Sequence, residues 1–486
     1  MSLSTALSIA QTALLNTSRQ TTVVSRNISE GNNTDYARRS AVLVSSDNGA
    51  RVVSIARATN AVLFRQNMSA ISAYSGQSTV VDGLGRLSMD VYGVEHSNSP
   101  ATVIGQFQQA LQTYSANPSS ISVGQNAIEA ARQVVNSLND SSDAIQAFRS
   151  DVDRQISGAV GELNSLLSDF KKFNDEVVAG TRVGRDVNDA LDQRDAVLKK
   201  ISEYVPVTAI QRSDNDMMLV TKSGATLFET NPREVTFAPT AGYSPGADGN
   251  AVYIDGEPIA SGVGGNTSAG GKLAAMTQMR DDVAGSMQAQ LDEIARGLIA
   301  AFAERDPSAV NPDAPGLFTW PGAPAVPAAG TLVDGLAQVI GINAAFDPTQ
   351  GGDVRLLRDG GANGAAYISN PTGGAAYTDL LLSYQQRMEE PMAFDPAAGI
   401  DGTMSVTDYS TETISWFESI RQDASRASDA KSAMLSRTQE ALSNMTGVNM
   451  DEEMTLMLDL EHTYQASARL MRTVDDMLSA LLQAMR

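Results

Sequence analysis

Residues 457–485 read MLDLEHTYQASARLMRTVDDMLSALLQAM. Met457, Leu460, Tyr464, Met471, Val474, Leu478, Leu481 and Met485 fall three or four positions apart, and Ser467 fills the polar place in the row. Such spacing is one stripe of a helix, in the register of a coiled coil. Just upstream, Asn449 followed by Glu452 has the form of a capping box, and Asp451, Glu452 and Glu453 suit the positive end of a helix dipole. Near the other end Leu3, Leu7, Ala10, Leu14, Thr21, Val24 and Ile28 repeat the pattern, with Thr17 as the polar gap. Both ends of the sequence are therefore amphipathic helices. A terminal helix can simply dock on its own domain; in the sharper reading each stripe is a seam awaiting a partner.

Working inward, residues 59–87 and 101–114 carry shorter helical patterns bounded by Gly, Ser and Pro. Between 123 and 178 the stripe Ala131, Val135, Leu138, Ile145, Val152, Ile156, Val160, Leu163, Leu167, Phe170, Val177 runs for several heptads without proline. That length predicts a rod-like helical body, which a further helix over 415–444 is expected to join. After Pro206 the runs 205–207, 217–220, 225–228, 234–237 and 251–254, separated by turns such as Ser223-Gly224 and Asp255-Gly256, read as antiparallel strands. A glycine-rich stretch over 261–271 leads into one more helix, and residues 306–404, rich in Pro, Gly and Ala, are expected to be irregular β-structure and loops.

The fold class expected is mainly α with an inserted β-rich region. Its divisions are terminal helices (1–45 with 445–486), a helical rod (46–205, 265–305 and 405–444), a small β region (206–264) and an outer variable β/loop region (306–404).

Composition excludes much chemistry. With 35 Lys+Arg against 56 Asp+Glu the 486-residue chain has a formal charge of −21, the wrong sign for tracking nucleic-acid phosphates. It contains no cysteine and only His96 and His462, so thiolate nucleophiles, disulfides and multi-histidine metal sites are absent. No run is long and apolar enough to span a bilayer, and the first twenty residues lack the charged and apolar regions of a secretory signal. The cluster Gly262-Val263-Gly264-Gly265 lacks the order of a phosphate-binding loop. Asp186, Asp189, Asp192 and Asp195 stand three apart and could be mistaken for a metal or glycosidase site; a solvated helical face paired with Arg182, Arg185 and Arg194 is the plainer reading. No catalytic residue, metal site or cofactor is predicted.

The stretch Asn27-Ile28-Ser29-Glu30-Gly31-Asn32-Asn33-Thr34-Asp35-Tyr36-Ala37-Arg38 resembles the N-terminal signature of the flagellar rod, hook and hook-associated axial proteins, N-I-A-N-x-N-T-P-G-Y-x-R. Asn27, Ile28, Asn32, Tyr36 and Arg38 match; Glu30, Thr34 and Asp35 depart from the usual Asn, Pro and Gly. Gly447-Val448-Asn449-Met450-Asp451-Glu452-Glu453 and Tyr464-Gln465-Ala466-Ser467-Ala468-Arg469 resemble the paired C-terminal signature, with Leu458–His462 replacing a run usually more polar. Within that family, Asp189-Ala190-Leu191-Asp192-Gln193-Arg194-Asp195 and Gly270-Gly271-Lys272-Leu273 resemble the members that sit at the junction of hook and filament.

The resemblance implies a non-enzymatic structural adaptor of layered architecture, in which the terminal helices of one subunit pair into an inner coiled coil and assemble head to tail. The assembly residues it implies are Leu3, Leu7, Ala10, Leu14, Val24, Asn27, Ile28, Asn32, Tyr36 and Arg38, with Met457, Leu460, Tyr464, Met471, Val474, Leu478, Leu481 and Met485. The partners it implies are further copies of the chain, the hook protein, the second hook–filament junction protein and an export chaperone on the C-terminal helix. It implies neither nucleic acid nor membrane insertion. The location implied is the extracellular flagellum, reached through a type III export channel without a cleaved signal. The readings set against it are a hook or distal rod protein of the same family and, in another class, a carboxylate-based cell-wall glycan hydrolase.

Overall fold

The computed structural model describes residues 3–46, 49–93, 97, 99–267, 270–321, 325–400 and 402–484. The chain opens with α1 (Leu3–Ser29), a hairpin of β1 (Arg39–Ser46) and β2 (Gly49–Arg57), α2 (Ala61–Leu87) with a π-helical turn over Ser88–Tyr92, and α3 (Pro100–Ala116). Next come α4 (Ile121–Arg182) and α5 (Asn188–Tyr204). At 62 residues α4 is roughly 90 Å long, and every residue of its predicted stripe is buried. It has to be packed along its whole length, and the later parts of the chain wrap it.

The β region holds two small antiparallel sheets: β3 (Val207–Gln211), β4 (Met217–Thr221) and β5 (Thr226–Phe228), then β6 (Val235–Thr236), β7 (Tyr253–Ile254) and β8 (Glu257–Pro258). All five expected runs supply strand residues, but the first strand starts at Val207, because α5 runs on through Tyr204. The next helix is α6 (Lys272–Thr277), a π-helical turn (Gln278–Val283) and α7 (Ala284–Ala301) in succession. In residues 306–404 the strands β9 (Phe318–Thr319), β10 (Gly341–Ile342), β11 (Met392–Ala393) and β12 (Thr403–Met404) are two residues each. The short helices α8 (Leu336–Val339) and α9 (Leu356–Asp359) and the longer α10 (Asp379–Glu389) lie among them. The expectation of β-structure and loops here missed α10, whose buried Leu380, Leu381, Tyr384 and Met388 have helical spacing. The chain returns through α11 (Val406–Thr446), nine residues longer at its start than predicted and capped by the Ser405 side chain on Asp408 N–H, to α12 (Met450–Ala484).

The body's core is centred on α7, which is buried on nearly every side although it carries Gln288, Gln290, Asp292, Glu293 and Arg296. Those groups are hydrogen-bonded internally, as buried polar groups usually are, save Gln290 Oε1, for which the described residues offer no partner, while Gln290 Nε2 donates to Ala398 O (3.1 Å). Arg296 grips Glu293 through two bonds at 2.8 and 2.7 Å. Asp292 accepts from Gly335 N–H (2.9 Å), Ala337 N–H (2.8 Å) and the Gln288 amide (3.1 Å), tying α7 to the start of α8. Burial nevertheless pushes the Asp292 carboxyl up to about 7, against the pull of those donors.

A carboxyl raised in the folded state binds a proton that the unfolded chain has already released, so its contribution is present at low pH and lost as pH rises through about 7. The expected loss between pH 6 and pH 8 is about 1.4 kcal/mol. Urea unfolding at both pH values should show that slope in the native chain and a flatter one, by that amount, in Asp292→Asn. Equal slopes in the two proteins would exclude the assignment.

Candidate functional site

α1 and α12 lie side by side and antiparallel, the end of α1 against the start of α12: Asn27 bonds to Glu453, and Gly31 packs on Met450. The pairing follows from the heptads. Ala10, Thr17 and Val24 are buried on α1, and Glu453, Leu460, Ser467 and Val474 on α12, each seven residues from the next. The small Ala10, Thr17 and Ser467 allow close approach of the two backbones. The seam of each terminal helix is thus filled by the opposite end of the same chain.

The other position of each heptad is not covered. Leu7, Leu14, Thr21 and Ile28 of α1 and Met457, Met471 and Leu478 of α12 are half-buried, while Tyr464 and Leu481 are about half exposed (50% and 53%). Leu15, Met454, Leu456, Leu458, Leu470, Met477 and Leu482 add further exposed apolar side chains to the pair. Leu3 opens α1, and Met485 and His96 lie outside the described residues.

Of the remaining predicted site residues, Asn27, Tyr36 and Arg38 close a knot where α1 meets α12. The fully buried Asn27 uses its whole amide: Nδ2 donates to Arg39 O (2.8 Å) and Glu453 Oε2 (3.0 Å), and Oδ1 accepts from Tyr36 Oη (2.8 Å) and Arg39 N–H (3.1 Å). Arg38 Nε donates to Glu453 Oε1 at 2.7 Å, and Arg38 N–H to Thr446 O at 2.8 Å. Burial raises the Tyr36 phenol, with the Arg39 guanidinium over its ring pulling the other way. The residues quoted from the two ends of the sequence are therefore two halves of one hydrogen-bonded structure.

Asn32 is exposed beside the knot. The chain reverses over residues 33–36 in a β-turn, with Tyr36 N–H on Asn33 O (3.1 Å) and Asp35 N–H on the Asn33 side chain (3.0 Å). Neither Thr34 nor Asp35 has positive φ, so an Asx-supported turn stands where Pro-Gly is usual. At the start of α12, Asn449 Oδ1 caps Asp451 N–H (3.0 Å) and reaches Glu452 N–H (3.4 Å), which is the Asn449 half of the expected capping box.

The hairpin β1–β2 is absent from the sequence reading. Its inner face lies on α1, where Asn16 holds the backbone of Ala50 and Val52 and Val52 is buried. Val44, Val53 and Ile55 remain exposed, and a bulge between Val42 and Leu43 breaks the alternation. The missed signal was Asn48-Gly49 between two β-branched runs.

The acidic row on α5 is a second correction. The row is not paired with Arg182, Arg185 and Arg194, and it is solvated only at its Asp186 and Asp189 end, Asp192 being buried. Asp189 meets Arg26 and Arg39, Asp192 meets Arg39 (2.9 Å) and Arg57 (2.6 Å), and Asp195 meets Arg57 (2.7 Å). Arg194 is buried on another side of the helix, on Asn174 Oδ1 (3.0 Å) and Asn215 O (2.6 Å), and Arg182 pairs with Asp214. Asp186 caps Asn188 N–H. Burial raises the Asp189 carboxyl, but the Arg26 and Arg39 guanidiniums outweigh it and hold the group below the usual carboxylate range.

The glycine-rich stretch is a packing strap. A side chain on Gly265 would strike the Ile420 carbonyl, and Gly271, at φ +77°, abuts the Tyr204 carbonyl. Among the described residues no group of three or more His, Asp or Glu could hold a metal ion, and no helix is long and apolar enough to cross a membrane.

Two family models match: that of the flagellar hook-associated protein FlgK helical domain over residues 89–313, and that of the flagellar basal body rod FlgEFG protein C-terminal region over 438–484. Flagellar hook-associated protein 1 of Bacillus subtilis strain 168 is 23% identical over 412 residues, 79% of this chain and 76% of that one. The protein of the same name from Salmonella typhimurium is 23% identical over 231 residues (45% and 41%), and that from Escherichia coli K12 21% over 244 (48% and 44%). The solved structure of the flagellar hook junction protein FlgK from Burkholderia pseudomallei superposes with a TM-score of 0.57 at 13% identity, covering 78% of this chain and 99% of that one, so the fold is shared.

Proposed function

We propose that this chain, which belongs to the flagellar hook-associated protein 1 family, is the structural adaptor that joins hook to filament, and that it assembles head to tail through the paired helices α1 and α12. The observation that carries the assembly route is the half-covered heptad. Pairing α1 with α12 buries one position per heptad and leaves Leu7, Leu14, Ile28, Met457, Tyr464, Met471, Leu478 and Leu481 as an apolar margin on both sides of the seam. A margin of that kind is buried when neighbouring pairs pack around an axis. The surfaces given and received differ, so the contact generates a stack instead of closing into a dimer. The knot at Asn27, Tyr36, Arg38 and Glu453 sets the register of the pair that is presented.

Membership in this family makes the chain a structural component of the extracellular flagellum, associated with other hook and filament parts. The finer assignments are the hook protein on one side, the second hook–filament junction protein on the other, and an export chaperone on α12 before assembly. Export through the type III channel without a cleaved signal completes the reading; a chain free of cysteine suits passage in an unfolded state. The rival hydrolase loses its most suggestive carboxylates, since Asp189, Asp192 and Asp195 are each held by arginine.

Deleting residues 450–486 is the direct test. Cells producing only the truncated chain should build hooks but shed filament subunits into the medium, with motility lost. Filaments that remain attached to hooks would overturn the assignment.

A further inference from the structure

We infer that Asp189, Asp192 and Asp195 of α5 form an electrostatic clasp that fixes the angle of the terminal layer on the body, and that when it opens the layer swings as one piece.

The terminal layer comprises α1, the hairpin and α12. Three arginines reach α5 from three separate parts of it: Arg26 near the end of α1, Arg39 at the start of β1 and Arg57 at the end of β2. They meet three carboxylates spaced three residues apart on one helical face, with Arg39 bridging Asp189 and Asp192 and Arg57 bridging Asp192 and Asp195. The middle of the clasp is desolvated, with side-chain exposures of 4% for Arg39, 11% for Asp192 and 13% for Arg57. At the margin Lys199 meets Asp35 at 2.9 Å, and Asn188 donates to Ile55 O at 3.1 Å.

Covalently, the layer joins the body through two short crossings, residues 58–60 between β2 and α2 and residues 447–449 between α11 and α12, the second beginning at Gly447. The two crossings meet at Arg38, whose N–H bonds Thr446 O and whose carbonyl accepts from Ala58 N–H, which leaves a hinge there, and the ion pairs of α5 supply most of the side-chain contacts that stand against rotation about it. The layer holds itself together by other means, the heptad seam and the Asn27 knot, neither of which uses an α5 side chain. Hence the clasp can fail while the layer stays intact. This concerns the single chain and does not depend on what the chain assembles with.

The chain has no cysteine, so paired spin labels report cleanly. Labels at exposed Ser18→Cys on α1 and Lys200→Cys on α5 span the clasp; Ser18→Cys with Ala466→Cys on α12 lies within the layer. The native chain should give one narrow distance peak for each pair. In the triple variant Asp189→Asn, Asp192→Asn, Asp195→Asn the Ser18–Lys200 peak should be lost to a broad distribution while the Ser18–Ala466 peak stays narrow. As a guard against misfolding, Arg57→Asp and Asp195→Arg should each broaden the spanning distance alone, and their combination should narrow it again. An unchanged spanning distance in the folded triple variant, broadening of both pairs together, or no recovery in the swapped pair would each overturn the inference.

Discussion

Asn27→Ala is expected to unpair the terminal helices, at a cost of about 3 to 5 kcal/mol to their docking. One buried amide satisfies four groups: the Tyr36 hydroxyl, the Arg39 N–H and C=O, and the Glu453 carboxylate. Truncation takes one partner from all four, and among the described residues the charged one, Glu453, then keeps Arg38 as its side-chain partner in the knot. Glu453 is itself 1% exposed, and it sits in the heptad row that Leu460, Ser467 and Val474 continue. The seam beyond it is made of small or single aliphatic residues and cannot absorb that loss. Far-ultraviolet circular dichroism should therefore lose helix belonging to α1 and α12, which contain 27 and 35 residues, while the body melts as before. Trypsin should cut at Arg19 and Arg26, which the native pair protects by helical structure. Asn27→Asp should behave like the alanine variant, since it keeps the acceptors but removes both donors and sets a second carboxylate against Glu453. Native helicity and native protection in both variants would show that the seam alone holds the pair.

Why the knot has these residues was only half legible in the sequence. Periodicity exposed α1, α4 and α12, because each has one apolar face and one neighbouring surface, and a stripe of period 3.5 to 3.6 has no other use. Asn27, Tyr36 and Arg38 were marked by resemblance to a signature, without a reason. The reason is long-range: Asn27 meets Glu453 across 426 positions and Arg38 meets it across 415. A carboxylate at the buried position of a heptad was the sequence clue, since such a group requires a partner.

The acidic row on α5 was misassigned for the same cause, its arginines lying 135 to 163 positions away while Arg182, Arg185 and Arg194 lay close at hand. Hairpin β1–β2 escaped because apolar residues occur on both its faces and a bulge shifts the register, so the period of two is interrupted where it would be read. In α10 the pattern was diluted by the Pro-, Gly- and Ala-rich sequence around it.

The second large effect belongs to the body. Asp153 of α4 is almost fully buried and accepts from Arg280 Nη1 (2.8 Å), Tyr243 Oη (2.7 Å) and Thr240 N–H (2.8 Å). One carboxylate thereby ties the rod helix to the π-helical turn before α7 and to the loop between β6 and β7. Asp153→Ala should destabilise the body by about 2 to 4 kcal/mol, because it takes the acceptor from the Tyr243 hydroxyl, the Thr240 N–H and one arm of the Arg280 guanidinium, which keeps Asp281 through two bonds (2.8 and 2.7 Å) and Asn250 O (2.8 Å). Asp153→Asn should cost less, keeping one acceptor but turning its amide protons toward the Thr240 N–H. Tyr243 gives an independent reading. Burial, with Asp153 accepting its proton, lifts the phenol to about 12, although the Thr240 hydroxyl works against that. In Asp153→Ala a difference titration of tyrosine absorbance should show one phenol ionising nearer 10. A body that keeps its stability in Asp153→Ala, with no phenol moved, would mean that the sheet loops and α7 are held to the rod by apolar packing alone.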